Sequence, residues 1–228
     1  MKEGFVLIDK PKGITSFAVI KILRSVTGIK KIGHCGTLDP NASGVLVCAI
    51  GRSATRKIDY LLKKDKTYLA ELKLGEISDT YDEEGKIEKV RIVREPTLKK
   101  IKQVLKFFIG EQDQTPPIYS AKKICGKKAY ELARQGLKFK LKPNKIKINK
   151  IKLVSYQFPI LKIEIDCGSG TYIRSLAQDI GDKLETGAYL KNLRRTKVGA
   201  YHIRSALDLA KLNRENWEKY LFQIKNIF

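Results

Sequence analysis

Asp39 lies in the run GHCGTLDPNASG (residues 33–44), between glycines and a proline, and its setting is that of a side chain offered to a ligand. Gly33 and Gly36 let the backbone bend and a ligand approach closely, and Pro40 forces the residue before it into extended backbone. The carboxylate is thereby presented rather than folded back, as a reagent would be. An Asp-Pro step met alone is an ordinary turn. What distinguishes this one is its company.

Arg174 follows the glycines of GSGTYIRSLAQDIGDKL (168–184), in the first turn of a helix whose Ile173, Leu176, Ala177, Ile180 and Leu184 share one face. The helix dipole disfavours a cation there. Arg174 either stands in solvent or has an anion, a carboxylate or a phosphate, as its partner. Tyr68 opens KTYLAELKLG (66–75), where Tyr68, Ala70, Leu72 and Leu74 alternate with mostly polar residues as in a half-buried strand.

Other chemistries fit poorly. The chain has two histidines, His34 and His202, too few for a metal site or a Ser-His-Asp arrangement. His202 reads as an ordinary surface or core residue. Cys35 adjoins His34, but neighbours in a strand point apart and make a poor nucleophile and base couple. Cys35, Cys48, Cys125 and Cys167 form no C-x-x-C pair and read as free thiols in a reducing cytosol. The chain has no phosphate-binding G-x-x-x-x-G-K-[ST] loop, and GSGTYI lacks the third glycine of a dinucleotide fingerprint. DTYDEEGK (79–86) fails the calcium-loop template and reads as a solvated acidic turn.

The elements that must position these groups alternate between helix and strand periods. GFVLIDK (4–10) and SGVLVCAIG (43–51) are buried strands. Thr15 or Ser16 caps a helix with Val19, Ile22, Leu23 and Val26 at helical spacing, ended by Gly28. RSATRKIDYLLKK (52–64) reads as a basic helix. LKKIKQVLKFFIG (98–110) reads as an amphipathic one with Leu98, Ile101, Val104, Leu105 and Phe108 inward. QTPPIYSAKK (114–123) is an extended loop, and a last helix is expected near 205–224. No repeat or linker divides the chain, which reads as one continuous domain over 1–228.

Charge narrows the partner. Forty-six Lys and Arg against 24 Asp and Glu give +22 over 228 residues, and neutralising phosphates releases counterions and supplies sequence-independent affinity. Nucleic acid leads, with a lysine-rich proteome as the bland alternative. The seven lysines between Lys138 and Lys152 alternate with apolar residues. They line either a phosphate-following strand face or an edge strand protected from aggregation. No apolar run approaches a membrane span or a secretion signal, so the chain is expected in the cytoplasm.

Five blocks, DKPKGITS (9–16), GHCGTLDPNASGVL (33–46), DKTYLAELKLGEISDTYDEEG (65–85), PPIYSAKKICGKKAYELARQG (116–136) and GTYIRSLAQDIGDKL (170–184), together resemble the TruB family of tRNA pseudouridine synthases. The resemblance covers residues 3 to 200. It implies an α+β fold, with a mixed, mainly antiparallel central sheet flanked by helices and loops. It also implies conversion of the T-loop uridine at tRNA position 55 to pseudouridine without metal or cofactor. Such a reaction breaks the bond from C1′ to N1 and makes one from C1′ to C5. Asp39 would be the nucleophile, by attack at C1′, by addition at C6 or by assisting elimination at the ribose.

The target uridine must first be flipped out of its stack. By the same resemblance, His34 would replace it in the RNA stack, Tyr68 would stack on the flipped base near C5, and Tyr172 and Leu193 would line the pocket. Arg174 would pair with Asp39 and keep it ionised, and Lys10 would support the site or its structure. The partner is the tRNA T-arm, with no membrane, no obligate protein partner and a monomer expected. Better-known bacterial members continue into a small C-terminal RNA-binding domain of PUA type, which this chain is expected to lack. The basic surface would then carry more of the tRNA affinity and make it salt-sensitive. Two other readings compete: a non-catalytic RNA-binding or RNA-folding protein on the same scaffold, and a catalytic subunit guided by a separate RNA and partner proteins.

Overall fold

A computed structural model describes residues 2–224 apart from 121, 125, 136 and 138, so the expectations involving Cys125, Gly136 and Lys138 lie outside the described residues. The chain begins β1 (Gly4–Lys10), α1 (Ser16–Thr27), β2 (Ile32–Cys35), β3 (Ala42–Ile50), α2 (Arg52–Thr55), α3 (Ile58–Leu62) and β4 (Lys66–Leu74). Next come β5 (Glu76–Ser78), β6 (Ile87–Lys89), α4 (Leu98–Phe107), β7 (Gly110–Gln114), β8 (Lys123–Ile124), β9 (Lys127–Lys128) and α5 (Ala129–Arg134). It ends with β10 (Asn144–Gln157), β11 (Ile160–Cys167), α6 (Ile173–Leu184), β12 (Ala188–Val198), β13 (Tyr201–His202) and β14 (Leu207–Asp208).

These elements form two compact units, residues 1–69 with 193–228 and residues 70–192, and the chain crosses between them within β4 and β12. In the first unit β3 pairs antiparallel with both β1 and β2, while β14 lies parallel to β1 and the end of β12 parallel to β3. Every residue of β3 is buried, as a strand must be when both its faces are covered. One core gathers Val6, Ile8, Leu46 and Cys48 against Val19, Ile20 and Leu23 of α1. The other gathers Phe5, Val45, Val47 and Cys35 against Ala54 and Leu61. In the second unit β10 pairs antiparallel with β7 and with β11, and β5 with β6 and β8 with β9 form hairpins. The class is the expected α+β with mainly antiparallel pairing.

Local chemistry explains the helices. Thr15 accepts the Ala18 amide at 3.0 Å, and Gly28, at φ +71°, closes α1 by donating to the Arg24 carbonyl; an L side chain is disfavoured in that conformation. Ile22, expected on the apolar face, is 38% exposed, and Ile20 is buried instead. Leu98, expected inward on α4, is likewise exposed, because it lies in the first turn at the helix edge.

Two expected helices are absent. Residues 52–64 form two short helices, α2 and α3, with Lys57 between them outside helical geometry. The C-terminal stretch forms β14 and short 3₁₀ turns at Ile203–Ser205, Leu209–Lys211 and Trp217–Tyr220. His202 and Asp208 each accept an amide two residues on, and Asn213 and Asn216 bond reciprocally. Such local side-chain bonds compete with a helical ladder. Among the described residues no helix is long and apolar enough to cross a membrane.

Candidate active site

The loop carrying Asp39 has no regular structure of its own and is held by main-chain bonds. Ser16, the first residue of α1, donates its hydroxyl to the Leu38 carbonyl and accepts the Leu38 amide, both at 2.9 Å. The Gly13 amide reaches the Pro40 carbonyl at 2.9 Å, and the Ala42 amide the Asp39 carbonyl at 3.1 Å. Asp39 is half-buried between these anchors. The separate sequence block DKPKGITS therefore braces the Asp39 loop from one side.

Lys10 completes the brace. Its Nζ donates to the carbonyls of Pro11, Ile14 and Pro40 at 2.9, 2.7 and 3.2 Å, and its side chain is fully buried. Burial pushes its pKa down to about 8, the Asp39 carboxylate pulls the other way, and Arg195 lowers it further. The ammonium is thus both a structural tie and a positive neighbour of Asp39.

Arg195, which sequence reasoning passed over, is 1% exposed. It donates from Nε to the Val45 carbonyl at 2.8 Å and from Nη2 to the Gly36 carbonyl at 2.9 Å. It has no carboxylate partner among the described residues. Gly44, at φ +107°, passes so close to the Arg195 backbone that a Cβ there would meet its carbonyl oxygen at 2.2 Å, so a glycine is needed for β3 and β12 to approach. Next to Arg195, Arg194 reaches Asp9 at 2.6 Å and Ser43 at 3.3 Å. A doubled Arg in a strand was a visible signal, yet nothing in its spacing told which one is buried.

The other predicted residues of this unit fall on its strands. His34 lies on β2, paired with Cys48, its Nδ1 buried without a hydrogen-bond partner among the described residues. Burial, and then Arg195, lowers its pKa, so a neutral ring is available for stacking. Cys35 is buried and its thiol pushed up to about 12, and burial raises Cys48 as well; neither is a thiolate at neutral pH. Tyr68 is buried on the face of β4 it shares with Ala70, Leu72 and Leu74. Leu193 is buried where β12 meets Ala42 of β3. His202 is exposed, as an ordinary residue would be.

The second unit holds Tyr172 and Arg174. Tyr172 caps α6, and Gln114 grips its backbone on both sides, accepting the Tyr172 amide at 2.8 Å and donating to its carbonyl at 3.0 Å. Arg174 is buried, although it stands in the first helical turn where the dipole disfavours a cation. Its Nη1 meets Asp82 Oδ2 at 3.0 Å and the Thr80 carbonyl at 3.3 Å, and its Nη2 meets the Tyr119 carbonyl at 2.9 Å. The Ser175 hydroxyl adds a bond to the Thr115 carbonyl. The acidic segment 79–86 is therefore more than a solvated turn: Asp82 lies mostly buried against Arg174. Its role is invisible in sequence because its partner lies 92 residues away. Among the described residues no cluster of three or more His, Cys, Asp or Glu side chains could hold a metal ion.

Comparison with known proteins places the chain. The family description "TruB family pseudouridylate synthase (N terminal domain)" matches residues 24–173, and "tRNA pseudouridylate synthase B C-terminal domain" matches residues 174–224. The tRNA pseudouridine synthase B of Protochlamydia amoebophila (strain UWE25) is 49% identical over 92% of this chain and 80% of its own length. That of Chlamydia felis (strain Fe/C-56) is 45% identical over 96% and 92%. A chain of a Cbf5-Nop10-Gar1 complex superposes with a TM-score of 0.72 at 31% identity, over 92% of this chain. This chain spans about half of that one, 53%.

The family match and the fold together define a pseudouridylate synthase. Within that class, the chain belongs to the TruB family.

Proposed function

We propose that this protein isomerises the T-loop uridine at position 55 of tRNA to pseudouridine, with Asp39 as the nucleophile. The observation that carries the reading is the bracing of Asp39 by the DKPKGITS block through Ser16, Gly13 and Lys10, in a chain 45–49% identical to relatives named tRNA pseudouridine synthase B. Uridine isomerisation needs a positioned carboxylate and a base turned over in place. It needs no redox step and no phosphate transfer.

In this reading Tyr68 stacks on the flipped base near C5, whose proton leaves to solvent after the new bond forms. By the family resemblance, Arg174 is read as the cation that orients the nucleophile. His34 fills the gap left in the RNA stack, and Tyr172 and Leu193 line the base pocket. Lys10 fixes the nucleophile loop and adds positive charge beside it. The tRNA T-arm is the partner, met in the cytoplasm by a monomer without a metal or cofactor. The intact set Asp39, Tyr68 and Arg174 favours an enzyme over a non-catalytic RNA-binding protein on the same scaffold.

The test uses unmodified tRNA tritiated at uridine C5. Wild-type protein should release tritium, and Asp39→Ala should bind the tRNA and release none. Equal release by both, or none from either, removes Asp39 from its role.

A further inference from the structure

The exposed face of α1 carries an arrangement that the reaction does not use. Phe17 is 54% exposed, while Val19, Ile20 and Leu23 of the same helix are all at or below 2%. Lys21 Nζ lies 5.4 Å and the Arg24 guanidinium carbon 5.8 Å from the centre of its ring. The three residues follow at i, i+4 and i+7 and form one stripe about 10 Å long. From Lys10 to Leu38 the chain holds six Lys and Arg and no Asp or Glu, so no carboxylate from this stretch competes for the two cations.

The stripe is also fixed in place. Phe17 follows Ser16, whose hydroxyl bonds both backbone groups of Leu38, the residue before Asp39. Gly13 donates to the Pro40 carbonyl and has open space around it, where a Cβ would meet nothing within 4 Å. An exposed aromatic ring one residue from the Ser16 clamp, with two cations beside it, matches what a single-stranded nucleic acid requires. Bases stack on aromatic faces regardless of sequence, and phosphates seek Lys and Arg.

We propose that Phe17, Lys21 and Arg24 form an RNA-docking platform. An unpaired base of the tRNA stacks on Phe17, and the neighbouring phosphates meet Lys21 and Arg24. The platform rests on the reading that tRNA is the substrate. It adds a contact outside the pocket that receives the flipped uridine.

Binding of a fluorescein-labelled, unmodified tRNA transcript tests it, measured in an Asp39→Ala background so that no product forms. Phe17→Ala should weaken binding about tenfold, and Phe17→Trp should keep the affinity. The tryptophan emission of the latter should be quenched by the tRNA, over the buried Trp217. Lys21→Gln and Arg24→Gln should each reduce the slope of log affinity against log salt by about one. In otherwise wild-type protein, Phe17→Ala should raise KM and leave kcat unchanged. Binding by Phe17→Ala within twofold of its parent, in a protein whose wild type releases tritium from tRNA, overturns the platform alone. No tRNA binding or tritium release by the wild type overturns both proposals. A dimer dissolved by Phe17→Ala with tRNA affinity intact assigns the ring to a second copy of the chain and also overturns the platform.

Discussion

Lys10 Nζ lies 3.2 Å from the carbonyl of Pro40, the residue after Asp39, and that bond ties a buried cation to the loop bearing the proposed nucleophile. Burial lowers its pKa to about 8, so near that pH the ammonium gives up its charge. Activity should fall as pH rises through about 8. Stability moves the other way: a lysine with a folded pKa below its unfolded 10.5 holds fewer protons when folded, so its contribution rises between about pH 8 and 10.5. Single-turnover tritium release across this range should show a basic limb in the wild type. Lys10→Met should be nearly inactive at every pH. A rate that stays level above pH 8 rules out a role for the Lys10 charge.

Ser16→Ala would leave both the amide and the carbonyl of Leu38 without the hydroxyl that serves them. Unpaired buried polar groups cost about 1–3 kcal/mol, which should appear in urea melts. With Asp39 proposed as the nucleophile, a loosened loop should lower kcat by roughly 10- to 100-fold, as loss of a near-attack geometry does. The affinity for tRNA should change little, and an unaltered kcat would show that the loop holds its shape without the clamp.

Asp82→Asn tests the partner of Arg174. The two side chains are 14% and 10% exposed and 3.0 Å apart. Removing one member of a buried ion pair costs about 3–5 kcal/mol. The carbonyls of Thr80 and Tyr119 still accept from Arg174, so a loss of about 3 kcal/mol is expected. Thermal denaturation decides it. A melting temperature equal to that of the wild type would mean that the pair contributes nothing net.

Gln114→Leu should free the start of α6, since one amide side chain holds both the N–H and the C=O of Tyr172. With the Tyr172 ring proposed to line the base pocket, KM should rise more than kcat falls. A pure loss of stability with unchanged KM would confine Gln114 to the fold.

Cys35→Ala should keep full activity, because burial drives the thiol to about 12 and leaves no thiolate at neutral pH. Iodoacetamide should likewise leave the native enzyme active. Inactivation by alkylation at Cys35 would reopen the thiol as a participant.

Much of this architecture was legible in the sequence, where the signal is local. Thr15 and Gly28 mark the ends of α1, the alternation from Tyr68 to Leu74 marks one face of β4, and Pro40 with its glycines marks the presented carboxylate. What stayed hidden depends on partners distant in the chain. Asp82 is one acid among several in a polar turn until Arg174 arrives, and Arg195 looks like its neighbour Arg194 until β12 lies beside β3. The expected C-terminal helix failed for a local reason of a different kind, since periodicity counts apolar spacing and misses the polar side chains that cap short turns.

The buried guanidinium of Arg195 divides the electrostatics of this enzyme into two regimes. Lysines in water lose most of their reach as salt rises, because the Debye length shrinks from about 10 Å at 0.1 M to about 3 Å at 1 M. A cation that is 1% exposed, bonded only to carbonyls and backed by no carboxylate among the described residues, is shielded from that screening. Ionic strength should therefore act on capture and leave turnover alone. Salt then becomes a reagent that separates the two: the tRNA arrives more slowly, while the field at the Asp39 loop, once the RNA is seated, stays what the fold has made it.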